Sequence, residues 1–245
     1  MEFANKTAVV TGAAMGIGRA TATLLAQGGA NVALVDMNAE KLESVKEELR
    51  DYADHIMIFA CDVSELTAVN GVIAQVNERF GGIDILVNNA ALWRCWAPFL
   101  ETSLEDWKRF IDVNVMGVVY FTRAVLGQMI EKKYGRVINI ASVAGVYGNG
   151  NMAHYSATKG AVISFTKALA KEVSHLGITV NAVSPGSVSP ARTPDISYYE
   201  ETDMSFMGRT GSPKENAELI CFLASDKASY ISGQNIQIDG CRKKQ

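Results

Sequence analysis

A three-layered α/β fold, a doubly wound parallel sheet of seven strands flanked by helices, is predicted by three features of this 245-residue chain. Seven short apolar runs recur along it, at 7–11, 31–36, 56–61, 83–88, 136–141, 179–184 and 235–239. Helical patterns separate most of these runs, which is how βα repetition reads when helices cover both faces of a sheet. A glycine-rich turn joins the first run to the first helical stretch. No internal repeat, low-complexity run or linker breaks the pattern, so one domain over 1–245 is expected.

The first unit sets the site. Residues 7–11 (T-A-V-V-T), entered from Lys6, read as a buried strand running into Gly12-Ala-Ala-Met-Gly16-Ile-Gly18. Residues 19–27 read as a helix and 31–36 (N-V-A-L-V-D) as the next strand, which places the glycines between the strand and helix of a βαβ unit. Such glycines let backbone amides approach a pyrophosphate at the positive end of the helix dipole, as in a Rossmann-type dinucleotide site. A glycine turn without a ligand is the competing reading, and the βαβ context argues against it. Asp36 closes the second strand eighteen residues beyond Gly18, where a carboxylate accepts hydrogen bonds from ribose hydroxyls and repels a 2′-phosphate. No Arg or Lys occupies the 12–16 turn, and Met37 and Asn38 follow the acid, so NAD(H) is expected over NADP(H).

Later helices announce their starts chemically. Thr102-Ser-Leu-Glu105 has the capping-box pattern ahead of a long helix over 103–132, and Ser212-Pro213-Lys-Glu215 combines an N-cap, a first-turn Pro and a box Glu. Between them, 142–159 (S-V-A-G-V-Y-G-N-G-N-M-A-H-Y-S-A-T-K) places Tyr155 and Lys159 four residues apart. On a helix the two share a face, and a cation there favours the phenolate over a phenol whose unperturbed pKa is about 10. That makes a proton donor and acceptor usable near neutrality. A solvated Tyr/Lys pair is the bland alternative. His154 precedes the Tyr, and because adjacent helix positions do not share a face it is read as a helix-start or pocket-rim residue rather than a second base.

With the glycine turn and this pair in hand, the chain resembles the short-chain dehydrogenases/reductases, in their compact single-domain branch, over nearly its whole length. Thr11-Gly12-x-x-x-Gly16-x-Gly18 matches the cofactor turn, Asp62-Val63 the adenine pocket, Asn88-Asn89-Ala90 the segment steadying the sheet, and Pro185-Gly186 the segment that caps the nicotinamide. Asn114, Ser142, Tyr155 and Lys159 match the catalytic tetrad. The resemblance implies NAD as cofactor-site occupant, held by Gly12, Gly16, Ile17, Gly18, Asp36, Met37, Asp62, Val63, Asn89, Ala90, Tyr155, Lys159, Pro185, Gly186 and Val188. It implies that Tyr155 gives a proton to the substrate oxygen in ketone reduction and takes it in alcohol oxidation. Lys159 would lower the Tyr pKa and hold the nicotinamide ribose, Ser142 would fix the substrate oxygen, and Asn114 would hold a water relaying protons to Lys159. Departures are Ala91 for Gly after N-N-A, Pro190 for a cofactor-contacting Thr, which Ser187, Ser189 or Thr193 could replace, and Cys241 for Gly.

The pocket segments of that family correspond here to an apolar, aromatic set. It includes Leu92, Trp93 and Trp96, then Val143, Val146 and Tyr147, then Ile196, Tyr198, Tyr199, Met204, Phe206 and Met207, beside Ser142 and Tyr155. A bulky secondary alcohol or ketone such as a hydroxysteroid is expected. Trp93 and Trp96 could instead pack beneath a loop or at a subunit contact, and Arg94 and Arg192 could receive a carboxylate at the mouth. The 186–211 stretch reads as a closing lid or a fixed surface loop.

Other functions compete. A 3-oxoacyl-thioester reductase fits the second half of the chain, with Lys132 and Lys133 as part of a basic patch for an acidic carrier protein. Those reductases commonly use NADPH, which Asp36 argues against. A scaffold protein that lost its chemistry is disfavoured because the Tyr, Lys and Ser all stand, and a sugar-nucleotide epimerase needs a longer chain and another glycine spacing.

Composition narrows the rest. The net charge of -3 and pI near 5.7 give no case for nucleic acid. No apolar stretch is read as spanning a bilayer and no leader precedes the first strand, so a cytoplasmic protein is expected. Cys61, Cys95, Cys221 and Cys241 show neither C-x-x-C spacing nor a Cys/His cluster, so no metal site or disulfide framework is expected. Resemblance implies a homotetramer through the 103–132 helix and the helix of Tyr155, with the C-terminal segment supporting a second contact. The Arg242-Lys-Lys-Gln245 end reads as a solvated tail.

Overall fold

In the computed structural model, which describes residues 1–94, 96–189 and 195–243, seven parallel strands form one sheet in the order β3-β2-β1-β4-β5-β6-β7. They are β1 (Thr7–Thr11), β2 (Asn31–Asp36), β3 (Ile56–Ala60), β4 (Ile85–Asn88), β5 (Gly135–Ile140), β6 (Ile178–Pro185) and β7 (Asn235–Ile238). The helices are α1 (Gly16–Gln27), α2 (Ala39–Glu48), α3 (Leu66–Phe80), α4 (Leu104–Ile111), α5 (Gly117–Lys132), α6 (Val143–Tyr147), α7 (Ala153–Val173) and α8 (Pro213–Ala224). Alternate strand residues feed opposite layers, because successive side chains leave a strand on opposite faces. Val10, Leu34, Val87 and Ile138 pack with Leu25 of α1 and Ile220 of α8. Val9, Val35, Leu86 and Val137 pack with Val72 of α3, Phe121 and Val125 of α5 and Val173 of α7. Runs apolar at every position therefore make good central strands. The strand order reverses between β1 and β4, and the carboxyl ends of these strands flank the crevice where such sheets place ligands.

The seven strands stand where the apolar runs do, with edges displaced by a residue or two. The fourth strand begins at Ile85 rather than 83, since the Asp84 carboxylate is occupied by the Thr7 amide (2.9 Å) and the Lys132 ammonium (2.7 Å). Lys132 is thus an ion-pair partner of Asp84 at the amino ends of the strands. α1 begins at Gly16, three residues before the expected start, because the glycine turn itself enters the helix.

The expected 103–132 helix is interrupted. A π-helical turn over Asp112–Met116 separates α4 from α5 and centres on Asn114, which is fully buried. The N-cap is Ser103 rather than Thr102: its Oγ accepts the Asp106 amide at 3.0 Å and donates to the Asp106 carboxylate. Both residues can cap a helix, and the one-residue choice is made by packing. The composite Leu104–Lys132 helix, 29 residues of mean hydropathy 1.4, is long and apolar enough by length and composition to cross a membrane, contrary to expectation. Phe121, Val125 and Met129 on it are completely buried against the sheet. At α8, Ser212 and Glu215 form the expected reciprocal capping box behind Pro213.

Candidate active site

The glycine turn meets the end of β4. Gly12 and Gly16 take φ of +64° and +57°, a left-handed conformation that costs most residues energy. A Cβ on Gly12 would lie 2.7 Å from Asn89 Nδ2, and one on Gly18 would overlap the Gly12 carbonyl. Thr11 is the hub: its Oγ1 accepts the amides of Asn89 (2.9 Å) and Ala90 (3.0 Å), while Asn89 Nδ2 donates to the carbonyls of Thr11 and Gly12, both at 3.0 Å. These glycines let the turn close against the end of β4 and onto the first turn of α1, and α1 starts with no side-chain cap on its amides, an amino end that fits a dinucleotide's phosphates. Ile17 is half-buried beside it.

Asp36 sits at the end of β2 with its carboxylate turned to this turn. It accepts the amides of Ala14 (3.2 Å) and Asn38 (3.0 Å). Met37 is exposed beside it, and Arg19, the cation next to Gly18, is engaged by Glu48. Asp62 turns its Oδ1 to the amide and hydroxyl of Ser64. Val63 is buried against Gly117, where a Cβ on the glycine would come within 2.8 Å of Val63 Cγ2, so its side chain packs the start of α5. On the far side, the Gly186 amide donates to Ile238, and Val188 pairs with Gly211 just beyond Pro185.

Ser142, Tyr155 and Lys159 converge at the carboxyl end of β5. Ser142 caps α6 by accepting the Ala144 amide (3.1 Å), and its hydroxyl stands near enough to the Tyr155 phenol to favour the phenolate. The Lys159 ammonium is 5.8 Å from the Tyr155 ring centre and donates to the Ile140 carbonyl at 2.7 Å. The expected acidified phenol is not what this geometry gives: burial pushes Tyr155 above its usual value, with the Ser142 hydroxyl pulling the other way. Burial also brings Lys159 down to about 8. An ammonium so desolvated and turned to a carbonyl leaves the phenol's burial uncompensated.

Asn114 is engaged through its side chain. Its Oδ1 accepts the Leu92 amide (2.7 Å), and its Nδ2 donates to the Leu92 carbonyl (2.9 Å) and to Thr158 Oγ1 (3.1 Å), whose hydroxyl donates to the Tyr155 carbonyl (2.8 Å). Asn114 therefore clamps the loop after β4 to the helix of Tyr155, with both of its amide N–H donors engaged.

Among the expected pocket residues, Trp93, Trp96, Val146, Tyr147, Tyr198, Tyr199, Phe206 and Met207 are exposed around this crevice's segments, while Val143 is buried in the core. The 97 and 151 backbones join (3.0 Å), and the described part of 186–211 is tied down by Ser189–Thr210 and by a bidentate Arg209–Glu215 pair that pulls Glu215 down to about 2. Cys95, Pro190, Arg192 and Thr193 lie outside the described residues.

Several contributors were not anticipated. Gly145 lets α6 press on α7, where a Cβ would stand 2.5 Å from the Lys159 carbonyl carbon. Asn139 links Asn88 (2.8 Å) to Thr166 (2.9 Å), a buried polar ladder beneath the site. His154 stands at the start of α7, as one of its two readings has it, but is wholly buried rather than at a rim, edge-on to Phe110 at 4.1 Å with both ring nitrogens unpartnered, and burial lowers its pKa. Arg242 is half-buried and donates to Asn149 at 3.0 Å, so the C-terminal segment is not simply a solvated tail. Gly145, three residues past Ser142, was the one available signal for the α6–α7 contact, and nothing in the pattern marks the Asn139 ladder.

A doubly wound sheet with a bare phosphate cradle and a Ser/Tyr/Lys cluster at its switch point defines a nicotinamide-dependent oxidoreductase acting on CH-OH and ketone groups. The chain belongs to the short-chain dehydrogenase/reductase family. The family described as enoyl-(acyl carrier protein) reductase matches residues 12–241. The chain is 40% identical over 243 residues, covering 98% of both sequences, to the 3-oxoacyl-(acyl-carrier-protein) reductase of Thermotoga maritima. It is 38% identical to the (2S)-((R)-hydroxy(phenyl)methyl)succinyl-CoA dehydrogenase subunit of Thauera aromatica, over 99% of this chain and 98% of that one. A solved short-chain dehydrogenase/reductase titled glucose/ribitol dehydrogenase, from Brucella melitensis, superposes with a TM-score of 0.88 at 36% identity, covering 100% of this chain and 99% of that one.

Proposed function

We propose that this protein interconverts 3-oxoacyl and 3-hydroxyacyl thioesters with NAD(H). The observation that carries the reading is the Ser142–Tyr155–Lys159 cluster within a chain that matches thioester-named relatives end to end. The hydroxysteroid expectation gives way, because exposed aromatics alone supported it. NAD(H) is retained on Asp36, whose carboxylate closes β2 with Met37 and Asn38 behind it and no cation in the 12–16 turn.

The backbone amides around Gly12, Gly16, Ile17 and Gly18 would hold the phosphates, and Asp36 the adenosine ribose. Asn89 and Ala90 shape the floor, and Pro185, Gly186 and Val188 line the far wall. Nicotinamide, when bound, supplies or accepts the hydride. Tyr155 gives its proton to the carbonyl oxygen in reduction and removes it from the alcohol in oxidation. Ser142 donates to the same oxygen and fixes its distance from the phenol. Lys159 would hold the ribose hydroxyls of the bound cofactor, and its ammonium would favour the phenolate of Tyr155. Asn114 works as a clamp, holding Leu92 and Thr158 and so the register of Tyr155.

Steady-state kinetics on acetoacetyl-CoA with each cofactor tests this. kcat/KM with NADH is expected to exceed that with NADPH by at least about tenfold, and to exceed that for steroid ketones. A preference for NADPH overturns the cofactor reading, and a preference for steroid ketones the substrate. A homotetramer is part of the proposal, supported by the exposed apolar side chains of the α4 region, Leu104 and Ile111 among them. A cytoplasmic setting accords with Cys61, Cys221 and Cys241 standing unpaired.

A further inference from the structure

Among the described residues, buried and half-buried cations are matched, with two exceptions. Arg19 meets Glu48, Arg136 meets Asp226 (3.0 Å), Arg209 meets Glu215 (2.7 Å), Lys46 and Lys214 each face a glutamate within 4 Å, and Lys6 lies on the Tyr134 ring at 3.5 Å. Lys159 is the first exception and belongs to the site already described. Arg242 is the second: among the described residues its one partner is the neutral Asn149 Oδ1, and no carboxylate lies within ion-pair distance. The neighbouring acid, Asp239, accepts the Cys241 amide at 3.0 Å instead. This half-buried guanidinium has no counter-charge among the described residues and four further N–H donors to offer an anion.

Its position says where that anion comes from. Asn149 lies in the loop between Ser142 and Tyr155, and the Asn149 amide donates to Ser156 Oγ (3.1 Å) beside the phenol-bearing residue. On its other side the Arg242 backbone pairs with Ser205, and the strap is sewn down by Phe206 to Cys241 (2.9 Å), Met207 to Gly240 (3.2 Å) and Lys243 to Met204 (3.0 Å). Arg242 thus bridges two walls of the crevice rather than waving in solvent.

We propose that Arg242 is a specificity-determining residue that receives an oxoanion carried by the thioester away from its reacting carbonyl, either a phosphate of the pantetheine arm or a carboxylate on the acyl chain. The inference rests on the thioester reading above. No bond is made or broken at Arg242. The contact is a charge-assisted fork to an oxoanion, which selects among substrates without touching the proton transfer.

The test is Arg242→Gln, which keeps an amide donor for Asn149, assayed with NADH on three substrates. These are acetoacetyl-CoA, the acetoacetyl thioester of N-acetylcysteamine, and the N-acetylcysteamine thioester of a 3-oxodicarboxylic acid. KM is expected to rise about tenfold or more on an anionic substrate and to stay within about twofold on the neutral thioester, with kcat little changed and Arg242→Lys recovering part of the loss. A rise confined to the CoA ester identifies the phosphate, and one confined to the dicarboxylic thioester identifies the carboxylate. Equal KM changes on all three, or none, overturn the inference while leaving the thioester reading intact. Failure of the wild-type protein to reduce any of them refutes that reading and the inference with it.

Discussion

Lys159 shows how a single residue couples folding to chemistry. Its ordinary pKa of 10.5 falls to about 8 on burial, so between those values the unfolded chain holds a proton that the folded chain has released. Stability contributed by this group therefore climbs as pH rises from 8 toward 10.5, and below 8 the full cost of a buried ammonium is present. NADH binding brings acceptors to that nitrogen, so calorimetry at a pH just above 8, run in buffers of different ionisation enthalpy, is expected to register proton uptake on binding. Lys159→Met should abolish that uptake, and uptake that persists in the variant would show that another group takes the proton. Much at this scale was readable in advance: Tyr155 and Lys159 share a helix face because four residues make one turn. The direction of the Tyr155 shift was not, because sequence spacing reveals a charge's neighbour but not whether burial outweighs it. Asn114 teaches the same point, since its identity was legible while the partners of its amide, Leu92 and Thr158, are brought to it only by tertiary folding.

At the scale of elements, the contact between α6 and α7 positions the proton donor against Ser142. Gly145→Ala places a methyl 2.5 Å from the Lys159 carbonyl carbon and 2.7 Å from the Gly160 amide nitrogen, so the two helices must part. Turnover is expected to fall by at least about tenfold with a far smaller change in NADH affinity, because a displacement of about 1 Å costs that much or more in alignment. Stopped-flow kinetics alongside fluorescence titration would separate the two, and unchanged turnover would mean that the contact does not set the geometry. The capping box of α8 makes a contrasting prediction. Ser212→Ala should destabilise the fold by about 1 kcal/mol in urea denaturation, leaving kcat untouched. Glu215 adds a pH signature, since its carboxyl is drawn from 4.5 to about 2 by Arg209. Its contribution is present above 4.5 and is lost as pH falls through 2, and Arg209→Gln should flatten that part of an acid-stability profile. The Ser212 box was legible because its residues all agree, whereas Thr102 and Ser103 offered two competent caps and only packing chose. The π turn over Asp112–Met116 escaped notice because one extra residue in a turn barely disturbs an apolar period of 3.6.

For the whole molecule, topology was the most legible property, since strands apolar at every position and helices between them leave few arrangements other than a parallel sheet covered on both faces. What patterning did not reveal is how remote segments meet, such as the tail at Arg242 with the loop at Asn149, a contact between residues 93 positions apart. Assembly belongs to this scale too: light scattering should give four times the 26.4 kDa chain mass, and a stable monomer would leave the exposed apolar face of α4 without a purpose. The account as a whole turns on the proton that Tyr155 moves beside a bound dinucleotide. Single-turnover oxidation of NADH by acetoacetyl-CoA, followed at the nicotinamide absorbance for wild type and Tyr155→Phe at matched occupancy, tests it most directly. A loss of at least about a hundredfold with NADH still bound is the predicted result, and a variant that turns over at near the wild-type rate would contradict it.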